Sequence, residues 1–191
     1  TLTLRGGLRY SNDDKDDTVS GFAPAFALPP GTLPVSASVS GDNLAWDLSA
    51  TWEATDTLNL YARVATGYLG PAIQGRVLFG SQVTTAGEQT TISGEAGLKY
   101  QSPARDLRFD LSAYWNQTND IQLTAVGGGT NSARLLNADK AVGYGLESEL
   151  GWRPLEGLDL TASGSWNFTE IRDSGLAVAP CGSGVCTVRD P

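Results

Sequence analysis

The feature that most constrains this chain is an alternation of apolar and polar residues with a period of two. It is clearest over residues 106–116, where the apolar set is Leu107, Phe109, Leu111, Ala113 and Trp115, and the polar set is Asp106, Arg108, Asp110, Ser112, Tyr114 and Asn116. Because side chains alternate between the two faces of a β-strand, this segment has one apolar face and one polar face. A water-soluble sandwich would turn the polar face outward and a membrane barrel would turn it inward. The alternation alone does not choose between them.

The same alternation recurs along the whole chain. It appears in residues 1–11, 44–53, 58–65, 92–100, 142–153 and 158–169, and residues 121–126 are expected to extend the strand that begins at residue 106. The sequence therefore predicts about seven strands of roughly 10 residues, the length that a tilted strand needs to cross a bilayer.

The connections between these strands favour a membrane barrel. Long connections are predicted at residues 12–42, 69–90, 127–141 and from residue 170 onward, and prolines at positions 24, 29, 30 and 34 should exclude a paired central strand from the first of them. Short turns are predicted at residues 55–57, 102–105 and 153–157. Outer-membrane barrels alternate long external loops with short periplasmic turns in this way. The predicted fold class is all-β, an antiparallel up-and-down transmembrane β-barrel segment.

Aromatic residues support this prediction because they cluster near strand ends, where interfacial girdles lie. They fall on the apolar parity, that is, on the alternate strand positions that carry the apolar residues. They are Tyr10, Trp46, Trp52, Tyr68, Tyr100, Trp115, Trp152, Trp166 and Phe168. An odd number of strands cannot close an up-and-down barrel of this type, and open edges in lipid would leave backbone groups unpaired. We therefore expect the remaining strands to belong to other parts of a longer protein.

Composition excludes several classes of function. The chain has 13 Lys and Arg against 21 Asp and Glu, a net charge of −8, which argues against a nucleic-acid partner. It has no histidine, so Ser-His-Asp catalysis, Cys-His catalysis and His-ligated metals are not expected. No apolar run approaches the roughly 20 residues of a membrane-spanning helix. We predict no enzyme activity and no cofactor.

Several motifs, in this order, resemble the barrel of TonB-dependent outer-membrane receptors. They are residues 60–68 (Leu-Tyr-Ala-Arg-Val-Ala-Thr-Gly-Tyr), 70–76 (Gly-Pro-Ala-Ile-Gln-Gly-Arg), 93–99, 123–129, 136–140 and 143–152 (Gly-Tyr-Gly-Leu-Glu-Ser-Glu-Leu-Gly-Trp). The resemblance implies a barrel of about 22 strands, with an N-terminal plug domain and a TonB box. On this interpretation residues 1–191 are part of the barrel domain, with neither plug nor TonB box in this chain.

The resemblance also implies a function and partners. Such receptors import scarce nutrients, such as iron–siderophore complexes, with energy from the TonB complex, and their barrels contact outer-membrane lipid. Two alternatives remain at this stage: a passive porin-like channel without a plug, and a soluble β-sandwich that serves binding or adhesion.

A few residues are candidates for chemistry. Arg63, on the polar parity, and the loop residues Gln74, Arg76 and Phe79 are predicted to contact ligand, because arginines at a barrel mouth suit anions. Cys181 and Cys186 are the only cysteines, and an external loop lies in an oxidising compartment, so a disulfide is expected. The acidic residues at positions 13, 14, 16 and 17 could bind a hard cation, but a solvated acidic loop is commoner, and no metal site is predicted.

Overall fold

One antiparallel sheet of seven strands organises the described part of the chain. The computed structural model describes residues 1–20, 34–74, 83–127, 132–173, 175–181 and 184–187. In their order across the sheet, the strands are β1 (Leu2–Val19), β2 (Val35–Thr55), β3 (Leu58–Leu69), β6 (Gln89–Gln101), β7 (Leu107–Gly127), β8 (Ser132–Leu155) and β9 (Leu158–Ile171). Two small hairpins pair β4 (Ala72–Gln74) with β5 (Thr84–Ala86), and β10 (Ala177–Cys181) with β11 (Gly184–Thr187). The predicted all-β, up-and-down fold class is confirmed.

The apolar parity forms one continuous face across all seven strands. A single row of directly paired residues crosses the sheet on this face: Leu4, Ala50, Ala62, Ala96, Ala113, Leu146 and Trp166. Large side chains on this face are exposed, including Leu48 at 58% and Trp166 at 57%. Such a broad apolar surface is far beyond what a soluble monomer exposes. It has the form of a lipid-facing barrel wall.

No second sheet covers this surface in the described part of the chain. Leu107, Phe109 and Leu111 are half-buried rather than sealed in a core. Among the described residues the buried apolar side chains are Ala86, Ala138, Ala141 and Val142. The soluble sandwich alternative does not fit, because a sandwich buries its apolar faces between two stacked sheets. No helix among the described residues is long and apolar enough to span a membrane.

The polar face is closely packed where tyrosines lie over glycines of the neighbouring strand. A Cβ atom at Gly97 would lie 2.7 Å from the Cε1 and Cζ atoms of Tyr61. A Cβ atom at Gly145 would lie 2.7 Å from the Tyr114 hydroxyl. The Tyr61 hydroxyl donates a hydrogen bond of 2.7 Å to Glu95 Oε1. Glycine at these two positions lets the aromatic rings lie flat against the wall.

The three short turns are confirmed, and local chemistry accounts for two of them. Gly157 has a φ of +81°, a conformation that favours glycine. In the turn before β7, the Ser102 hydroxyl oxygen accepts hydrogen bonds of 3.1 Å from the backbone N–H groups of Asp106 and Leu107. The same hydroxyl donates to the Asp106 carboxylate, which lowers the pKa of that carboxyl, and its own backbone N–H lowers it further.

The bounds of two predicted long connections are wrong: β1 runs to Val19 and β2 begins at Val35, so residues 12–19 and 35–42 are strand. The acidic segment pairs with the serine-rich one, with Asp13 opposite Gly41 and Asp16 opposite Ser38. The predicted connection over residues 127–141 is instead mostly β8, which pairs with β7 as far as Gly127 and Ser132. The extension of β7 through residues 121–126 is confirmed. The reason is physical: in this barrel the bilayer requires an apolar outer face only where a strand crosses it, so the part of a hairpin that projects into water can be polar on both faces.

Candidate functional site

The outward row of residues on β1 and β2 marks where the sheet leaves the membrane. On β2 this row runs Trp52, Ala50, Leu48, Trp46 and Leu44, and then changes to Asp42, Ser40, Ser38 and Ser36. On β1 the same change falls between Tyr10 and Asn12, which are opposite Leu44 and Asp42. The two strands therefore agree on one boundary. Beyond it lie the long hairpins, which identifies this end as the external one.

Arg63 lies on the polar face, as its parity predicted. It is in register with Ser49 on β2 and Glu95 on β6, and its Nε atom is 3.9 Å from Asp47 Oδ2. Its side chain is 57% exposed, so the ion pair with Asp47 contributes little and leaves most of the guanidinium accessible.

Two further arginines share this face, and neither was singled out from the sequence. Arg5 is opposite Ser49, which is itself opposite Arg63. Arg9 lies nearer the external end, where it lines a cavity of about 440 Å³ together with Asp13, Asp47, Arg63 and Tyr68. The parity of β1 carries the signal that would have found both. The structure thus groups three guanidinium groups on the wall formed by β1, β2 and β3.

The same face becomes acidic across β6, β7 and β8. A second cavity of about 420 Å³ is lined there by Tyr61, Lys99, Asp110, Glu147 and Glu149 among others. Asp110 accepts a hydrogen bond of 3.0 Å from Arg108 Nε. Within the described residues, no three of the acidic or cysteine side chains are arranged to hold a metal ion. The polar face therefore carries arginines and acidic residues together over β1, β2 and β3, and three acidic side chains with Lys99 in the second cavity.

The remaining candidate residues lie in the external hairpins. Gln74 ends β4, where it is paired with Thr84 and half-buried. Arg76 and Phe79 lie outside the described residues. In the β10–β11 hairpin the backbone of Cys181 is opposite Gly184, and that of Cys186 is opposite Ala179. Both cysteine side chains lie outside the described part of the chain, so the disulfide stays a prediction.

Comparison with known proteins agrees with this geometry. The family described as "TonB dependent receptor-like, beta-barrel" matches residues 1–180. The chain is 28% identical over 150 residues to the pesticin receptor of Yersinia pestis. The aligned residues make up 78% of this chain and 21% of that receptor. The chain therefore spans about a fifth of the length of that curated relative.

Two solved structures share the fold. The ferric yersiniabactin uptake receptor FyuA from Yersinia pestis superposes with a TM-score of 0.71 at 24% identity, covering 89% of this chain and 24% of that one. A copper transporter, OprC, superposes with a TM-score of 0.68 at 17% identity, covering 93% of this chain and 28% of that one. At these identities the likeness concerns the fold. Together with the family match over residues 1–180, these observations show that the chain belongs to the TonB-dependent receptor family and forms part of its outer-membrane β-barrel.

Proposed function

We propose that the full-length protein is an outer-membrane receptor that binds a scarce nutrient outside the cell and imports it with TonB-coupled energy. The nutrient class that the wall favours is an anionic metal chelate, such as an iron–siderophore complex. The observation that carries this proposal is the group of three arginines, Arg5, Arg9 and Arg63, on the polar face of β1, β2 and β3 below the external hairpins. Arginines bind carboxylates and other planar anions in bidentate geometry, and the fields of neighbouring guanidinium groups add.

The related structures support a metal-containing cargo. FyuA is a ferric yersiniabactin uptake receptor and OprC is a copper transporter, so each takes up a metal or a metal complex. We propose no catalytic role, because the acidic and basic groups of the polar face lie along a barrel wall. The plug domain and TonB box that such transport requires are proposed to belong to parts of the protein outside residues 1–191.

Ligand contact is proposed for Arg63 on the wall and for Gln74, Arg76 and Phe79 in the external segment between β3 and β6. The proposed contact of Arg63 is supported by the exposure of its side chain and by its place in the cavity that Arg9 also lines. Gln74 is supported by its position at the end of β4, above the boundary where the outward row turns polar. The disulfide between Cys181 and Cys186 is proposed as a stiffener of the external β10–β11 hairpin.

Uptake of radiolabelled iron chelates tests this function. Iron-starved cells that express the full-length receptor should accumulate iron from at least one of a catecholate, a hydroxamate and a phenolate chelate. Accumulation should fall to the level of receptor-free cells when the tonB gene is deleted, because transport against a gradient needs coupled energy. Uptake at an unchanged rate without TonB would contradict the proposal and favour a passive channel.

The same assay tests the proposed contact between Arg63 and the ligand. Arg63→Ala should raise the half-saturation concentration for the imported chelate by roughly tenfold, the value of one charge-assisted hydrogen bond. Arg153→Ala is the matched control, because Arg153 pairs with Asp159 at 2.7 Å near the opposite, short-turn end of the sheet. Equal effects of the two substitutions would remove Arg63 from the proposed site.

A further inference from the structure

The chain that leaves β3 at Leu69 and returns at Gln89 is closed at its base by one side chain from another hairpin. Gln122 of β7 donates hydrogen bonds of 2.8 Å from its Nε2 atom to the carbonyl oxygens of Gly70 and Gly87. Its backbone N–H donates to Gln89 Oε1 at 2.9 Å. A single carboxamide therefore bridges the outgoing and returning ends of the segment that contains β4 and β5.

Asn137 of β8 completes this attachment. Its Oδ1 atom accepts from the Gly87 N–H at 2.7 Å, and its Nδ2 atom donates to the Gly87 carbonyl at 3.2 Å. The amide thus satisfies both polar groups of Gly87, as a neighbouring strand would. The Nδ2 atom also donates to the carbonyl of Asp120 at 2.6 Å. Asp120 has a φ of +52° and interrupts the β7–β8 ladder, so Asn137 ties that interruption to the β4–β5 segment.

Two alanines beside this junction are buried. Ala86 of β5 is 2% exposed, and Ala138, next to Asn137, is fully buried. The backbone N–H of Leu135 donates to Thr84 Oγ1 at 2.8 Å, which adds a further bond between β8 and β5. The bonds of Gln122 to Gly70 and Gln89 are part-buried, whereas those of Asn137 to Gly87 and Asp120 are exposed, so each bond contributes modestly and the junction depends on their number.

A third hairpin reaches the same junction. Lys15 of β1 donates a hydrogen bond of 2.7 Å from Nζ to the carbonyl of Pro71. A Cβ atom at Gly70 would lie 2.5 Å from Asp13 Oδ2, so only glycine leaves room for that carboxylate. Residues 70 and 71 are thus held by β1 on one side and by Gln122 on the other.

We infer that Gln122 and Asn137, which join the β4–β5 and β7–β8 hairpins, and Lys15, which attaches the β1–β2 hairpin, clamp all three hairpins into one cooperative unit at the external rim. The inference rests on the proposed function for its biological meaning: a nutrient that displaces one hairpin displaces the others with it. The clamp itself is a property of the fold and is independent of the cargo. Residues that share a cooperative unit open to solvent together, with a single free energy of opening.

Residue-resolved hydrogen–deuterium exchange of the full-length receptor in detergent tests the clamp without any ligand. In Asn137→Ala, exchange of the Gly87 amide should be about tenfold faster than in the wild type, and the amides of residues 72–74 and 84–86 should accelerate with it. Gln122→Glu keeps the size of the side chain but sets a carboxylate against two carbonyl oxygens, so it should accelerate the same amides.

Two further variants make the result specific. Asn137→Asp keeps the oxygen that accepts from Gly87, so the Gly87 amide should stay more protected than in Asn137→Ala. Gln117→Ala removes an amide of the same strand that bonds only locally, to Asn119 Oδ1 at 3.0 Å, and should leave residues 70–88 unchanged. Unchanged exchange at residues 72–74 and 84–86 in Asn137→Ala and Gln122→Glu would overturn the inference, whatever the receptor imports.

Discussion

Replacing Leu48 with arginine is expected to lower the free energy of unfolding of the receptor in a bilayer by about 2–4 kcal/mol. Leu48 lies on the outward row of β2 between Trp46 and Ala50, in register with Gly6 and Val64, and is 58% exposed. An arginine there would place a guanidinium in hydrocarbon near the middle of the apolar band. Urea titration of the refolded receptor in lipid vesicles, followed by tryptophan fluorescence, measures the change.

The control for this substitution is three residues away on the same strand. Thr51→Arg introduces the same side chain on the polar face, where Thr51 is opposite Thr3 and Tyr61. Its cost should be under about 1 kcal/mol, as for most exposed polar positions. If Thr51→Arg cost as much as Leu48→Arg, or more, the assignment of the two faces would be wrong.

Replacing Gly145 with valine is expected to destabilise the barrel by about 3 kcal/mol, through overpacking. A Cβ atom there would lie 2.5 Å from the backbone carbonyl oxygen of Trp166 and 2.7 Å from the Tyr114 hydroxyl. The tyrosine ring can rotate away, but the carbonyl belongs to the β8–β9 ladder and cannot move without breaking pairs. The loss of the compact, heat-modifiable band on mild-detergent gels, together with the urea midpoint, reports the effect.

Gly151 supplies the matched control because it lies on the same strand and the same face as Gly145. A Cβ atom at Gly151 would meet nothing within 4 Å. Gly151→Val should therefore be neutral or slightly stabilising, since valine favours strands more than glycine does. Removing the ring with Tyr114→Ala should rescue Gly145→Val only in part, and full rescue would show that the carbonyl of Trp166 is not the obstacle.

The parts of the fold inside the membrane follow from the sequence because lipid enforces a two-residue period there. Leu107, Phe109 and Leu111 share a face for that reason, and the seven strands with their short turns are found where the period predicts them. Apart from residues 121–126, the external extensions of the strands were not predicted, because outside the bilayer the apolar residues need not stay on the outward-facing positions. Val35, Ala37 and Val39 alternate with serines, but on the parity opposite to that of Leu44 and Trp46, so the outward apolar row stops at Asp42.

The candidate site was partly predictable. The parity of Arg63 placed it on the polar face, and the same rule covers Arg5 and Arg9 once the strands are paired. Gln122 and Asn137 carry no comparable signal, because their partners Gly70 and Gly87 are about 50 positions away in the sequence. Contacts between residues so far apart in the sequence depend on how a loop folds back onto a hairpin, and no local periodicity of the sequence predicts them.

The orientation of the sheet in the membrane is tested most directly by nitroxide scanning of residues 46–52 in the full-length receptor, reconstituted in a bilayer. Spin labels at positions 46, 48, 50 and 52 should collide with lipid-soluble oxygen, and labels at 47, 49 and 51 with a water-soluble nickel chelate, because successive side chains of β2 face opposite sides. The reverse alternation, or equal access of both relaxing agents at every position, would contradict the assignment of an apolar outer face and an aqueous interior.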